Sequence, residues 1–140
     1  MILFCDTSAL VKLYIIETGS DALKVRTQEA EAVAVSRMTW AEAYAALARR
    51  AREEPGDTPA IEQAKSAIAR DWPRFVVLEI DQPLVELAGE YADTFALRAY
   101  DSIQLAAAAR IATLSQSPVL FACFDIRLNK AARLLGLLTL

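Results

Sequence analysis

The chain has 140 residues, no histidine, 55% hydrophobic residues and a formal net charge of −3. That length suits one domain, large enough to bury roughly two-thirds of its unfolded surface. The acidic balance, with a pI near 5.0, argues against a protein that coats nucleic acid by charge alone. Without histidine there is no Ser-His or Cys-His nucleophile pair, no imidazole acid or base, and no zinc site of the usual His-containing kind.

A mean hydropathy of +0.26 is high for a 15.3 kDa chain, so part of the apolar surface is expected at an interface. No apolar run approaches the ~20 residues of a membrane span. No basic n-region precedes Met1-Ile2-Leu3-Phe4, so neither a signal peptide nor a membrane segment is expected, and the cytoplasm is the expected compartment. Cys5 and Cys123 lie in apolar runs without CxxC spacing and read as buried, reduced thiols.

In chain order, Ile2-Leu3-Phe4-Cys5 reads as a short apolar strand, after which Asp6-Thr7-Ser8 opens an apolar helix through Tyr14. Thr18-Gly19-Ser20 breaks that helix, and Ser20 is placed to cap the next one, from Asp21 to about Glu29. Ala32-Val33-Ala34-Val35 reads as a second strand, and Ser36 precedes a helix to about Glu53. Pro55-Gly56-Asp57-Thr58-Pro59 is a loop whose last proline suits the first turn of a helix ending near Pro73. Phe75-Val76-Val77-Leu78 is a third strand, followed by a helix from Asp81 and Pro83 to about Leu97 and another from near Tyr100. Ser115-Gln116-Ser117-Pro118 leads into a fourth strand, Val119 to Cys123. A last helix runs from Ile126 to about Leu135, where Gly136 suits its stop.

Continuous apolar strands alternating with helices predict an α/β fold: a central, mostly parallel sheet of four to five strands with helices on both faces, in one domain over residues 1–140. In such sheets ligands gather beyond the carboxyl ends of the strands, near the point where strand order reverses. Asp6 and Asp125 follow the first and fourth strands and should emerge at that end.

Four acids, Asp6, Glu42, Asp101 and Asp125, each sit where an apolar run meets a helix. Taken singly they have structural roles. Asp6 and Asp125 suit helix caps, Glu42 closes a Thr39-Trp40-Ala41-Glu42 capping box, and Asp101 suits the dipole at a helix start. Taken together they point elsewhere. Ser102 to Ala109 carries no charge, so Asp101 leads into a helix that should be central and buried. A carboxylate there loses solvation and needs a cation, a hydrogen-bond network or a proton. Clustered carboxylates with no imidazole suit hard, oxygen-seeking cations such as Mg²⁺ or Mn²⁺. Two divalent cations would reverse the sign of the net charge, so overall acidity does not exclude a phosphate-bearing substrate.

These residues carry a resemblance. Ile2-Leu3-Phe4-Cys5-Asp6-Thr7-Ser8-Ala9-Leu10 resembles the opening of a PIN domain, and Ser36-Arg37-Met38-Thr39-Trp40-Ala41-Glu42 resembles its second acidic motif. Leu97 to Ala106, around Asp101, resembles the third. Phe124-Asp125-Ile126-Arg127-Leu128, with Ala131-Ala132 and Gly136-Leu137, resembles the closing segment. Motif order and chain length are similar to those of VapC-type toxins of bacterial toxin–antitoxin pairs. One departure is that Cys123-Phe124 precede Asp125 where the family often has a small hydroxyl residue. The resemblance implies a three-layer PIN-like fold and a Mg²⁺- or Mn²⁺-dependent endoribonuclease, usually a homodimer, silenced by a small VapB-like antitoxin. It implies Asp6 and Asp101 as metal ligands, with Glu42 and Asp125 ligating directly or through water.

Around the acids, Ser8 is placed to hydrogen-bond a carboxylate or a phosphate, or to cap the first helical turn. Arg127 and Lys130, helix-spaced after Asp125, are the better candidates for holding an RNA backbone; Arg49-Arg50-Arg52 reads first as a solvated helix face. Arg98 is expected to pair with an acid near the site. Trp40, Tyr44 and Leu47, with Ile61, Ala64 and Ile68, are expected to expose an apolar groove for an amphipathic antitoxin segment. Two rival classes are an aspartyl-nucleophile phosphotransferase, which would carry an acid where Ser8 stands, and a catalytically silent PIN-fold module that binds RNA or protein.

Overall fold

The structure, a computed structural model, describes residues 1–140. Five strands, β1 (Ile2–Cys5), β2 (Ala32–Ser36), β3 (Val76–Leu78), β4 (Val119–Ala122) and β5 (Leu138–Thr139), form one sheet in the order β3-β2-β1-β4-β5. Every pairing is parallel, so the sheet is entirely rather than mostly parallel. The helices are α1 (Thr7–Tyr14), α2 (Ser20–Glu29), α3 (Thr39–Glu53), α4 (Thr58–Asp71), α5 (Gln82–Phe95), α6 (Ala99–Leu114) and α7 (Ile126–Leu134), with single 3-10 turns at Pro55–Asp57 and Trp72–Arg74.

Side-chain alternation along the strands sorts the helices into two layers. On one face Ile2, Phe4, Ala34, Phe121 and Cys123 meet Leu84 and Ala88 of α5, the Leu105–Ala108 stretch of α6 and Leu128, Ala131 and Ala132 of α7. On the other, Leu3, Cys5, Val35, Leu120 and Ala122 meet Leu10 of α1, Leu23 of α2, Leu47 of α3 and Ile61 and Ile68 of α4. The uncharged Ser102–Ala109 stretch of α6 lies in the interior, because a strand buried on both faces needs a small, apolar helix against it. No helix is long and apolar enough to cross a membrane.

Strand order reverses between β1 and β4, which lie side by side in register, Phe4 opposite Phe121 and Cys5 opposite Ala122. The Asp6 amide extends this pairing by donating to the Ala122 carbonyl at 3.1 Å. Asp6 and Asp125 therefore leave the sheet side by side at its switch point.

Several local expectations are corrected. Ser20 is not a cap: Gly19, at φ +96°, precedes α2, and the Ser20 hydroxyl donates to the Lys12 carbonyl at 2.7 Å instead. Leu47, Ile61, Ala64 and Ile68 are core residues. Trp40 packs on Tyr44 and Trp72, with centroids 5.0 and 5.1 Å apart, in an aromatic cluster that continues to Phe75. An apolar cleft does exist, but it lies between Tyr14-Ile15-Ile16 and the Ala60, Ala64 and Ala67 face of α4. Strand β5 has only two residues and follows a sharp reversal. Gly136, at φ +82°, donates to the Arg133 carbonyl, and Leu137 donates to that of Ala132, closing α7 as a Schellman motif.

A Cβ at Gly136 would meet nothing within 4 Å, so alanine there tests backbone strain alone. Gly136→Ala is expected to lower unfolding stability by about 1 kcal/mol, seen as a lower urea midpoint at unchanged m-value. An unchanged midpoint contradicts this reading of the turn.

Candidate active site

Each of the four acids is delivered by the start of a helix on the carboxyl side of the sheet. Asp6 caps α1, and its Oδ1 accepts from the Ala9 amide at 2.9 Å and the Ser8 hydroxyl at 2.7 Å. Asp125 caps α7 through Oδ1, which accepts from the Leu128 amide at 2.8 Å. The capping roles read from sequence are therefore real, yet each uses only one carboxylate oxygen. Asp101 lies in the first turn of α6, and its side chain accepts no hydrogen bond from the protein. Glu42 makes no capping box. Met38 occupies the cap position of α3 without a side-chain bond, while Glu42 Oε1 accepts from Thr7 Oγ1 and Gln104 Nε2, both at 2.8 Å.

Gln104 is the residue that sequence reasoning missed. It is 2% exposed, and its amide also donates to Thr39 Oγ1 at 3.0 Å and reaches Thr7 Oγ1 at 3.3 Å. One amide thus ties α1, α3 and α6 together behind the carboxylates. A glutamine three positions after Asp101, inside the uncharged Ser102–Ala109 stretch, was the available signal.

The four acids line one open cleft of about 1340 Å³ together with Ser8, Gln104, Phe124 and five basic residues, Lys12, Arg49, Arg50, Arg98 and Arg127. None of the four acids is in an ion pair. The cations are held apart from them: Arg50 and Lys12 both bind Glu17, at 2.6 and 3.0 Å, and Arg49 binds Glu53 at 2.9 Å. Arg127 donates to the Ala96 carbonyl at 3.3 Å and Arg98 to the Tyr100 hydroxyl at 2.9 Å, so Arg98 forms no ion pair with an acid. Lys130 and Arg52 lie outside the cleft lining, whereas Arg49 and Arg50 are part of it.

Burial pushes the Asp6 carboxyl from an ordinary 3.8 up to about 6; its two hydrogen bonds pull it down, and the charges of Asp101 and Glu42 add to the rise. Asp101 is raised too, by burial first and then by Asp125, with Arg98 opposing and Glu42 adding. The acids therefore feel one another across the cleft.

The donor set is oxygen only, which suits a hard divalent cation. Asp6, Glu42 and Asp125 each keep one carboxylate oxygen free of hydrogen bonds, and the Gln104 Oε1 is buried without a partner. No three acids converge closely enough to enclose an ion by themselves. That arrangement fits Mg²⁺, which keeps several waters and takes few direct carboxylates. A water in such a shell would also answer the orphaned Gln104 carbonyl.

The PIN-domain profile matches residues 3–134. The chain belongs to the PIN-domain family. It is 30% identical over 139 residues to ribonuclease VapC45 and, equally, to ribonuclease VapC49 of Mycobacterium tuberculosis, covering 96% of this chain and 92% of each relative. The fold matches FitAcB of Neisseria gonorrhoeae at TM-score 0.69 and 19% identity, covering 99% of this chain and 96% of that one. It matches VapBC2 of Rickettsia felis, solved on a promoter DNA fragment, at TM-score 0.65 and 16% identity over 100% and 98% of the two chains. A toxin–antitoxin complex from Klebsiella pneumoniae matches at TM-score 0.58 and 21% identity over 86% and 84%.

Folding raises the Asp6 pKa, so the native state holds that proton more tightly than the unfolded chain does. Stability from this group is complete below about pH 4 and is lost as pH rises to about 6, by on the order of 2–3 kcal/mol. Carboxylates held low by partners, such as Glu17, work in the opposite direction. The measurement is therefore the difference between Asp6→Asn and wild type in chelated buffer. The variant should gain on wild type as pH climbs from 4 to 7. A difference that stays flat over that window contradicts the burial argument.

Proposed function

We propose that this chain is a Mg²⁺- or Mn²⁺-dependent endoribonuclease acting in the cytoplasm as the toxin of a toxin–antitoxin pair. The observation that carries this reading is a cleft in which Asp6, Glu42, Asp101 and Asp125 have no ion-pair partner and Asp6 is deeply desolvated, while the Lys12 and Arg50 cations of the same cleft are taken by a fifth acid, Glu17. The ribonuclease names of the two mycobacterial relatives support it.

In this reading Asp6 and Asp101 would hold the cation, and Glu42 and Asp125 would reach it through water. Bound there, a divalent cation supplies a more acidic water and neutralises charge building on the phosphodiester. The remaining work falls to the protein. Ser8 and the Ala9 amide fix the Asp6 carboxylate in one orientation, and Gln104 and Thr7 do the same for Glu42. Arg49, Arg50 and Arg127 line the approach and hold backbone phosphates, so that water attacks in line and the 3′ oxygen leaves on the opposite side. Lys130, on the exposed face of α7, contributes only to long-range attraction.

Asp6→Asn and Asp101→Asn are each expected to reduce RNA cleavage by at least ~10³-fold and to abolish cellular toxicity while the protein remains folded. Glu42→Gln and Asp125→Asn should lose less, with part of the loss recovered at higher Mn²⁺. Full activity in either aspartate variant at positions 6 or 101 removes the site assignment.

The partner in this reading is a VapB-like antitoxin bound to a homodimer of this chain. The apolar cleft beside Ile16 and α4 suits an amphipathic segment, and the free carboxylates suit an inhibitor arginine, whose planar fork binds carboxylates bidentately. Mg²⁺ is then expected to weaken the inhibitor's hold severalfold, and Asp6→Asn to bind it less tightly. An inhibitor affinity that ignores both the cation and Asp6 shows that it blocks RNA elsewhere.

A further inference from the structure

Phe124 stands immediately before Asp125, in the connection between β4 and α7, and lines the same cleft as the four acids. Phe124 is 42% exposed, although the largest apolar side chains of the core are fully buried. Core packing does not account for an aromatic ring left open in the most charged part of the molecule.

The ring is nonetheless held in place. Gly19 lies so close that a Cβ there would sit 2.7 Å from the Phe124 Cε1, and the left-handed φ of +96° keeps a glycine at that position. Lys12 Nζ sits 4.7 Å from the ring centroid, where the ammonium is attracted to the π-face. Glu17 fixes that ammonium at 3.0 Å and holds Arg50 at 2.6 Å with its other oxygen. Lys12 of α1 and Gly19 of the turn that follows thus back the ring with one cation and one glycine, and Phe124 stays 42% exposed. Ile126, 87% exposed on the other side of Asp125, extends the apolar rim.

From this geometry we propose that Phe124 is a stacking platform for an unpaired nucleobase of the RNA substrate, beside the bond that is cut. The proposal rests on the ribonuclease reading above. An aromatic face accepts any base, and a base is free to stack only where the strand is not paired, so the ring selects for single-stranded RNA. Lys12 and Arg50, next to the ring, supply charge for the phosphates on either side of the stacked base. Acids and platform are adjacent in sequence, so a stacked base sets the register of its own phosphodiester over Asp125 and Asp101.

The test uses a short synthetic RNA that the wild type cleaves, and a set in which one nucleotide at a time is made abasic. For the wild type, one abasic position flanking the cut should lower kcat/KM by about tenfold, mostly through KM. Phe124→Trp should keep that penalty. Phe124→Leu, which fills the space against Gly19 without a π-face, should cleave the intact RNA about tenfold less efficiently and show no penalty at the abasic position. If the leucine variant does not fold, Phe124→Met carries the same comparison. A leucine or methionine variant with the wild-type abasic penalty overturns the platform while leaving the ribonuclease reading intact. A wild type that cleaves no RNA with either cation overturns both.

Discussion

Taking a carboxylate out of water costs free energy unless a cation, a proton or a donor replaces the lost solvation, and the carboxyl end of this sheet does that to Asp6 without supplying a basic partner. Much of the architecture follows from holding that state. Two helical layers press on a sheet buried from both sides, and the reversal of strand order between β1 and β4 opens a gap just where the chain turns into α1 and α7. Helix N-termini supply amide donors there, each taking one carboxylate oxygen and leaving the other. The same bond that caps the helix aims the free oxygen.

The cations of the cleft are organised with the opposite logic. Lys12 and Arg50 are spent on Glu17, and Arg49 on Glu53, so none cancels the charge of the four acids. The exposed Arg49–Glu53 pair adds little to stability, whereas the two Glu17 pairs are partly shielded from water. Their effect is positional: they keep positive charge at the rim, where a phosphate backbone would run, and away from the carboxylates, where a metal would sit.

Much of this was legible in the sequence because it depends on local pattern. Short apolar runs, each followed by a helix-opening polar residue, specify a parallel sheet and place Asp6 and Asp125 at its carboxyl end. What was not legible depends on tertiary packing. Thr39-Trp40-Ala41-Glu42 has the pattern of a capping box, but Gln104 and Thr7, separated from Glu42 by 62 and 35 positions, capture the carboxylate. Gln104 itself sits in a run that reads as core. Whether Arg49 and Arg50 or Lys130 reach the cleft depends on how α3 and α7 are rotated, which is set by Ala43 and Leu47 on one and by Leu128 and Ala132 on the other. Of the groove expected along Trp40, Tyr44, Leu47, Ile61, Ala64 and Ile68, only Ile61 and Ala64 line the apolar cleft, for the same reason: periodicity marks an apolar face without saying whether another element covers it.

The central claim is that the carboxylates are kept unpaired for a divalent cation, and the most direct test is thermal unfolding of the chelated protein titrated with Mn²⁺ at pH 7.5. A ligand that binds only the folded state stabilises it by about 2.7 kcal/mol at a hundred times its Kd. The wild-type midpoint should therefore climb steadily with the logarithm of Mn²⁺ concentration, and the climb should vanish in a protein carrying both Asp6→Asn and Asp101→Asn. A wild-type midpoint indifferent to Mn²⁺, or an equal climb in the double variant, would contradict the account.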